Sequence, residues 1–249
     1  MRKIYLLLCV MAFVSCGIEE AKDCLHSSKL TEVYEEYITE IDTLIVRRDI
    51  QVSIEQSTEN KIKVITNDRT YEKLKRNISG RTLELSLDDV CPFGNSKPLV
   101  KIVLSVTSIA QIRNSSQYTI SSIGQLSFPF MRLISESFND NDALNSGDFK
   151  MDLDVADLGI VSSGISDFYI TGKTEKLQLG FYDGSGAFYG TNLDAKKADI
   201  FYRSSRDSQL NVQQKATGEV RSTGSLFFQQ KPDTLAIECF YIGCWFTLN

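Results

Sequence analysis

Apolar and polar residues alternate along most of the chain, which is the pattern of β-strands with one buried face. The clearest sets are Ile50, Val52 and Ile54; Leu83, Leu85 and Leu87; and Val100, Ile102, Leu104 and Val106. A helical pattern is found over residues 69–77, after which Gly80 supplies a turn. The sequence therefore predicts an all-β domain with one short helix.

The second half of the chain contains an internal repeat. Residues 162–170 align with 182–190 at an offset of 20 and with 204–212 at an offset of 42. Each unit is a corner of small residues followed by an apolar strand, and it is too short for a helix of ordinary length. Stacked units of this kind predict a single-domain β-solenoid over residues 37–235. A β-sandwich is the alternative, and it would show strands every 8–12 residues or so without the recurrence.

The N-terminus has the parts of an export signal. A positively charged start precedes an apolar core at residues 4–14, which is shorter than the 20 or so residues that span a bilayer. The segment Phe13-Val14-Ser15-Cys16 is similar to the bacterial lipobox. We therefore expect residues 1–15 to be cleaved and Cys16 to carry a lipid. An ordinary cleavable signal followed by an unrelated cysteine is the alternative.

The residues after the predicted lipid, 16–36, are polar and indicate a tether. They predict a domain held on the outer membrane, at its periplasmic face or at the cell surface. The chain carries 27 Lys and Arg against 32 Asp and Glu, a formal net charge of −5, and it has no basic run. Such a chain does not favour the polyanionic backbone of nucleic acid. The expected partners are membrane lipid at the anchor and a glycan or surface protein at the domain.

Four of the six cysteines remain for disulfides once the signal is cleaved and the lipid is attached. They are Cys24, Cys91, Cys239 and Cys244. Three pairings are possible, and export permits any of them. Cys239 and Cys244 could close a small loop within a C-terminal tail predicted for residues 236–249, although free thiols are the alternative. Because no Cys-x-x-Cys pair is present, we expect neither a zinc site nor another cofactor.

Residues that carry hydrolytic chemistry are scarce. The one histidine, His26, lies in the predicted tether, where no folded scaffold would place it beside a nucleophile. Asp167, Asp183 and Asp207 fall at different positions of the repeat, which favours roles in turns over a ladder of metal ligands. The sequence thus predicts a non-enzymatic protein without catalytic or metal-binding residues. A polysaccharide-cleaving β-helix enzyme and a purely structural envelope module are the alternatives.

Aromatic pairs recur in the second half. They are Phe168-Tyr169, Phe181-Tyr182, Phe188-Tyr189 and Phe201-Tyr202. Neighbouring strand residues face opposite ways, so inward phenylalanines place Tyr169 and Tyr189 outward on adjacent rungs, about 4.8 Å apart. Tyr182 would extend this platform together with Phe201 or Tyr202. An amphipathic platform suits a sugar face or a protein partner; a ladder that only stabilises the strands is the alternative.

The order of these features resembles the auto-transporter adhesin head domain family, called GIN, of exported proteins in gut-type Gram-negative bacteria. Residues 48–56 match the first strand of the family, and 79–85 match the strand after its short helix. Ser163–Asp167 is the closest copy of its repeated small-residue corner, and residues 223–232 match its closing rung. Over residues 38–235 the resemblance implies a β-helix-like fold and an envelope or surface location, and it implies little biochemistry.

Overall fold

The computed structural model describes residues 32–87, 100–138, 140 and 143–248, apart from the side chain of Arg69. The predicted signal and lipid site, most of the tether, and Cys91 lie outside these residues. The described ranges contain sixteen strands and one short helix. Within them, no helix has the length and apolar character required to cross a membrane. The all-β prediction is confirmed.

The first half of the domain mixes antiparallel and parallel strands. Its elements are β1 (Glu32–Tyr37), β2 (Thr43–Val46), β3 (Ile50–Gln56), β4 (Lys61–Thr66), α1 (Asp68–Lys73), β5 (Leu74–Ser79), β6 (Thr82–Leu87), β7 (Val100–Val106) and β8 (Gln111–Asn114). The pairs β1–β4, β4–β7 and β5–β6 are antiparallel, whereas β3–β7, β2–β6 and β2–β8 are parallel. The alternating residues Ile50, Val52 and Ile54 are fully buried, as their period of two predicts.

The second half is a run of parallel strands, most of which pair with the next strand along the chain. They are β9 (Ile120–Ser135), β10 (Phe149–Gly164), β11 (Phe168–Gly184), β12 (Phe188–Tyr202), β13 (Ser208–Val220), β14 (Leu226–Phe228), β15 (Thr234–Cys239) and β16 (Trp245–Thr247). Phe149 of β10 lies opposite Phe168 of β11, which lies opposite Phe188 of β12. The predicted offset of 20 residues is therefore the register between β11 and β12. The predicted offset of 42 is wrong, because Gly190 lies opposite Leu210 and the two steps together span 40 residues.

One open sheet contains all sixteen strands. Its path runs β1-β4-β7-β3-β9-β10-β11-β12-β13-β14-β16, and the other strands pair beside this path. Inside the second half, aromatic residues fill equivalent positions. The rings of Phe149 and Phe168 stack with their centroids 5.0 Å apart, and Phe181 meets Phe168 edge-on at 5.7 Å. Burying a side chain of this size contributes about 1.5–3 kcal/mol, so the interior rings help to hold neighbouring strands in register.

The helix is shorter than predicted. It ends at Lys73, and residues 74–77, which we predict to be helical, lie in β5. β5 pairs antiparallel with β6, and Gly80, at φ +60°, makes the turn between the two strands. The helix prediction is wrong for residues 74–77 because pairing with β6 buries Leu74 and satisfies the backbone hydrogen-bonding groups. A local sequence pattern does not reveal that β6 is the partner.

The folded region extends beyond both predicted boundaries. β1 begins at Glu32, inside the predicted tether, and pairs with β4. At the other end β15 pairs with β13 and β16 pairs with β14, so the predicted tail continues the parallel sheet. Cys239 and Cys244 are joined by a disulfide in this segment, with their Cα atoms 5.3 Å apart. The segment folds because β13 and β14 offer backbone groups that β15 and β16, respectively, can satisfy.

Candidate ligand-binding surface

Tyr169 and Tyr189 form an outward-facing stack on neighbouring strands. They are directly paired in the register of β11 and β12, and their ring centroids lie 4.8 Å apart at an interplanar angle of 10°. Their neighbours Phe168 and Phe188 are buried, so the alternation along each strand turns the tyrosines the other way. Tyr169 is 41% exposed. The two stacked rings therefore form an aromatic surface that is partly open to solvent.

Arg206 and Asp167 hold the hydroxyl ends of this stack. Arg206 donates hydrogen bonds to Oη of Tyr189 at 2.6 Å and to the two carboxylate oxygens of Asp167 at 2.8 and 3.1 Å. The hydroxyl of Tyr169 donates to Asp167 at 3.3 Å. Burial, and then the charge of Asp167, raise the pKa of Tyr169 above its ordinary value, so this hydroxyl remains a neutral donor. The stack thus has an ordered polar rim.

Asp167 also belongs to a series of corner aspartates that accept from the backbone next to the following strand. Asp148 accepts from the amide of Asp167 at 2.9 Å, and Asp167 accepts from the amide of Ala187 at 3.0 Å. Asp207 accepts in the same way from the amide of Ser225 at 2.8 Å. Among the described residues there is no group of three or more side chains that could hold a metal ion. These carboxylates are therefore used to close the corners.

Tyr182 and Phe201 form a second outward stack, which lies before the corner rather than after it. Their ring centroids are 5.2 Å apart at 29°, and Phe138 meets Tyr182 edge-on at 6.2 Å. Tyr182 is 43% exposed. A methyl group at position 180 would lie 2.8 Å from a ring carbon of Tyr182, so Gly180 is what lets this ring lie flat against the strand.

The prediction that Tyr202 belongs to the outward platform is wrong. Its side chain is fully buried, its ring lies 5.3 Å from that of Phe181, and its hydroxyl shares a hydrogen bond of 2.8 Å with Ser208. Burial raises the pKa of Tyr202 to about 12. The register pairs Tyr202 with the inward Phe181, so Phe201 takes the outward position. Two adjacent aromatic residues left this choice open in the sequence.

A groove with a volume of about 370 Å³ runs across the strands beside the Tyr182–Phe201 stack. Glycines at positions 159 and 180 form part of its lining, and its polar lining includes Arg132, Gln178 and Asp199. Sequence reasoning missed these three polar residues, because each occupies an ordinary outward position of a strand. The sequence signal that could have indicated the groove is glycine inside a strand, because such a glycine often marks the close approach of another group.

Residues 40–232 match the model of the family described as "Putative auto-transporter adhesin, head GIN domain". The chain belongs to this GIN-domain family. The match covers most of the chain, including both aromatic stacks and the groove. It confirms the resemblance seen in the order of the sequence motifs. No curated protein matches this GIN-domain chain.

Solved structures similar to this GIN-domain protein include several from Bacteroides and Parabacteroides. A structure described as a putative adhesin from Bacteroides fragilis is 17% identical, with a TM-score of 0.77, over 87% of this chain and 96% of that one. Another described in the same way, from Parabacteroides merdae, is 13% identical with a TM-score of 0.68 over 88% and 96%. A structure from Parabacteroides distasonis, described as a putative lipid binding protein, is 14% identical with a TM-score of 0.60 over 86% and 96%. At these identities the likeness shows a shared fold.

Proposed function

We propose that this GIN-domain protein is a non-enzymatic adhesin of the bacterial envelope that binds a surface glycan through the Tyr169–Tyr189 stack. The observation that carries the proposal is the stack itself, two nearly parallel rings 4.8 Å apart on adjacent strands. A sugar can pack its C–H groups against such rings, and its hydroxyls need polar partners beside them. Arg206, whose side chain is 44% exposed, supplies donors there, and the hydroxyls of Tyr169 and Tyr189 can accept.

A β-solenoid is the architecture that we propose as the carrier of this surface. β10 has 16 residues and would be roughly 50 Å long if it were straight. It is nevertheless followed by β11 in parallel register after only residues 165–167, which span about 10 Å at most. These lengths support a chain that coils back within each repeat. In a β-sandwich, antiparallel strands would be joined by hairpins and longer crossings.

The family supports an envelope or surface location, and the lipobox-like segment supports an outer-membrane anchor at Cys16. On this proposal Cys16→Ser moves the protein from the membrane fraction to the soluble fraction and abolishes incorporation of labelled fatty acid. Cys24→Ser is the matched control and leaves both unchanged. Membrane retention and labelling of the Cys16 variant would show that the anchor lies elsewhere.

Glycan-array binding followed by affinity measurement tests the glycan proposal. We expect Tyr169→Ala combined with Tyr189→Ala to weaken binding at least tenfold or so, which corresponds to about 1.4 kcal/mol. Tyr37→Ala is the control, because Tyr37 is 71% exposed and lies on β1 at the far end of the sheet. An unchanged urea midpoint would show that the variants are folded. An array without hits, or equal losses in both variants, contradicts the proposal.

A protein partner is the second candidate, and a different surface favours it. Large apolar side chains are exposed beside the last strands, at Tyr241 (68%), Ile242 (86%) and Phe246 (49%). Exposed apolar residues gathered in one region are typical of contact sites. Pull-down from native outer membrane distinguishes this candidate, because Ile242→Asp would abolish capture of a partner and leave glycan binding intact.

A further inference from the structure

We propose that the groove beside the Tyr182–Phe201 stack is a second binding site, which takes a sugar bearing one carboxylate and holds that carboxylate with Arg132. The site is separate from the Tyr169–Tyr189 stack and does not depend on it. The lining residues Arg132, Gln178 and Asp199 supply its polar contacts, and the second aromatic stack supplies its apolar wall.

In the part of the chain that the structure describes, Arg132 lacks the carboxylate partner that most of the arginines have. The paired ones are Arg47, Arg76, Arg81, Arg113, Arg206 and Arg221. Within the described ranges Arg132 makes no ion pair, and its guanidinium is 5.9 Å from the ring centroid of Phe130. Its Nε is buried and has no hydrogen-bond partner there. Burying a charged donor without an acceptor costs free energy, and a bound acceptor would recover it. Among the groups of common sugars, a carboxylate oxygen is the strongest acceptor.

Gly159 positions the arginine along the groove. The two residues are paired in the register of β9 and β10, and the side chain of Arg132 passes over the glycine. A Cβ at position 159 would lie 3.5 Å from Nε and 3.7 Å from Cγ of Arg132, so the arginine is packed against the strand instead of extending freely into water. A planar guanidinium held in this way can meet a carboxylate with two parallel hydrogen bonds.

The other polar residues in the groove determine which acidic sugar can bind. In the strand register Gly159 is followed by Gln178 and then by Asp199, so the row from Arg132 to Asp199 crosses three strand spacings, about 14 Å. Glu219 at the far end is paired with Arg221 at 2.9 Å, whereas Asp199 makes no ion pair among the described residues. Asp199 therefore repels a second anionic group and accepts hydrogen bonds from hydroxyls. One carboxylate at one end and hydroxyls at the other describe an oligosaccharide that ends in a single uronic or sialic acid residue.

The groove has the size for such a ligand. Its volume of about 370 Å³ lies within the range of small-molecule sites. The Tyr182–Phe201 stack forms an apolar wall against which the C–H face of a pyranose can pack. A polymer that carries an anion on every unit would bring charge to Asp199 and is disfavoured.

Calorimetric titration with glucuronate-, galacturonate- and N-acetylneuraminate-terminated oligosaccharides tests the proposal on the full folded domain. We expect at least one to bind, its methyl ester to bind at least tenfold or so more weakly, and Arg132→Gln to cause a similar loss. Arg48→Gln is the matched control, because it removes the same charge from an exposed arginine on the other half of the domain. Absence of binding by all three acids, equal binding of acid and ester, or equal effects of the two variants would each overturn the proposal.

A second pair of variants separates this site from the proposed glycan platform. Tyr169→Ala with Tyr189→Ala should leave the acidic sugar bound within twofold or so, and Arg132→Gln should leave the glycan of the platform bound. Loss of acidic-sugar binding in the tyrosine variant would place that sugar on the platform and refute the groove.

Gly180→Ala, which displaces the Tyr182 ring without changing charge, should weaken binding of the acidic sugar. Unchanged affinity would show that this wall has no part in binding.

Discussion

Replacement of Asp167 by alanine is the sharpest test of how the corners are held. Asp167 is 8% exposed, and one of its carboxylate oxygens accepts from the amide of Ala187, which is fully buried. The same carboxylate receives Arg206 and the hydroxyl of Tyr169. Alanine removes all three contacts and leaves the amide of Ala187 without its acceptor.

The buried amide of Ala187, rather than the ion pair with Arg206, should account for most of the stability that Asp167→Ala removes. An unsatisfied buried N–H costs about 1–3 kcal/mol. The side chain of Arg206 is 44% exposed, so solvent screens its pair with Asp167, and that pair contributes about 1 kcal/mol or less. We therefore expect Asp167→Ala to lower the free energy of unfolding by about 2–4 kcal/mol.

Urea unfolding followed by far-ultraviolet circular dichroism measures the effect. Asp167→Asn keeps an oxygen that can accept from the amide of Ala187, so it should lower the free energy of unfolding by about 1 kcal/mol or less. Arg206→Ala should have an effect of the same size. If Asp167→Asn is as destabilising as Asp167→Ala, the negative charge is what matters, and the account of the corner given above is wrong.

Three further predictions concern packing, backbone and protonation. Phe168→Ala should lower the free energy of unfolding by about 3–5 kcal/mol, because the ring is fully buried between neighbouring strands. Phe168→Leu should lower it much less, and urea midpoints that barely move would contradict this. Gly218→Ala should destabilise by at least about 1 kcal/mol more than Gly80→Ala, because at φ +135° its Cβ would lie 1.9 Å from the carbonyl oxygen of Ile200, whereas the space at Gly80 is open; equal losses in thermal unfolding would refute the steric argument. The pKa of Tyr202 is raised to about 12 from 10.0, so the stability it contributes is present below pH 10 or so and is lost as the pH rises toward 12 or so. Ultraviolet titration of phenolate absorbance checks the pKa, and Tyr202→Phe should lessen the alkaline loss of stability.

Much of the candidate surface follows from local alternation. Phe168 and Phe188 are apolar residues next to tyrosines, and the period of two in a strand then places Tyr169 and Tyr189 outward. The same reasoning left Phe201 and Tyr202 undecided, because either could face inward. The choice depends on Phe181, which lies opposite Tyr202 in the register. β11 carries an extra residue, Tyr182, between the partners of Ser162 and Ser163, and a bulge of this kind is set by the neighbouring strand.

The groove depends on tertiary structure even more strongly. Arg132, Gly159, Gln178 and Asp199 are separated by 19 to 27 positions in sequence, and only the strand register makes them neighbours. That Arg132 has no carboxylate partner among the described residues is a property of its surroundings in space. A sequence shows an arginine at a strand position and gives no sign of whether a carboxylate lies beside it.

The sequence by itself determined the all-β class, the repeat and the family, because each rests on residue types at fixed local spacing. The tertiary structure decided which aromatic residues face outward, where the sheet ends, and which polar groups remain unpaired. Parallel pairing joins residues some 20 positions apart, and a shift of one residue reverses the face that each side chain occupies. The sequence of residues alone does not specify the register, whereas the packing of the inward aromatic rings does.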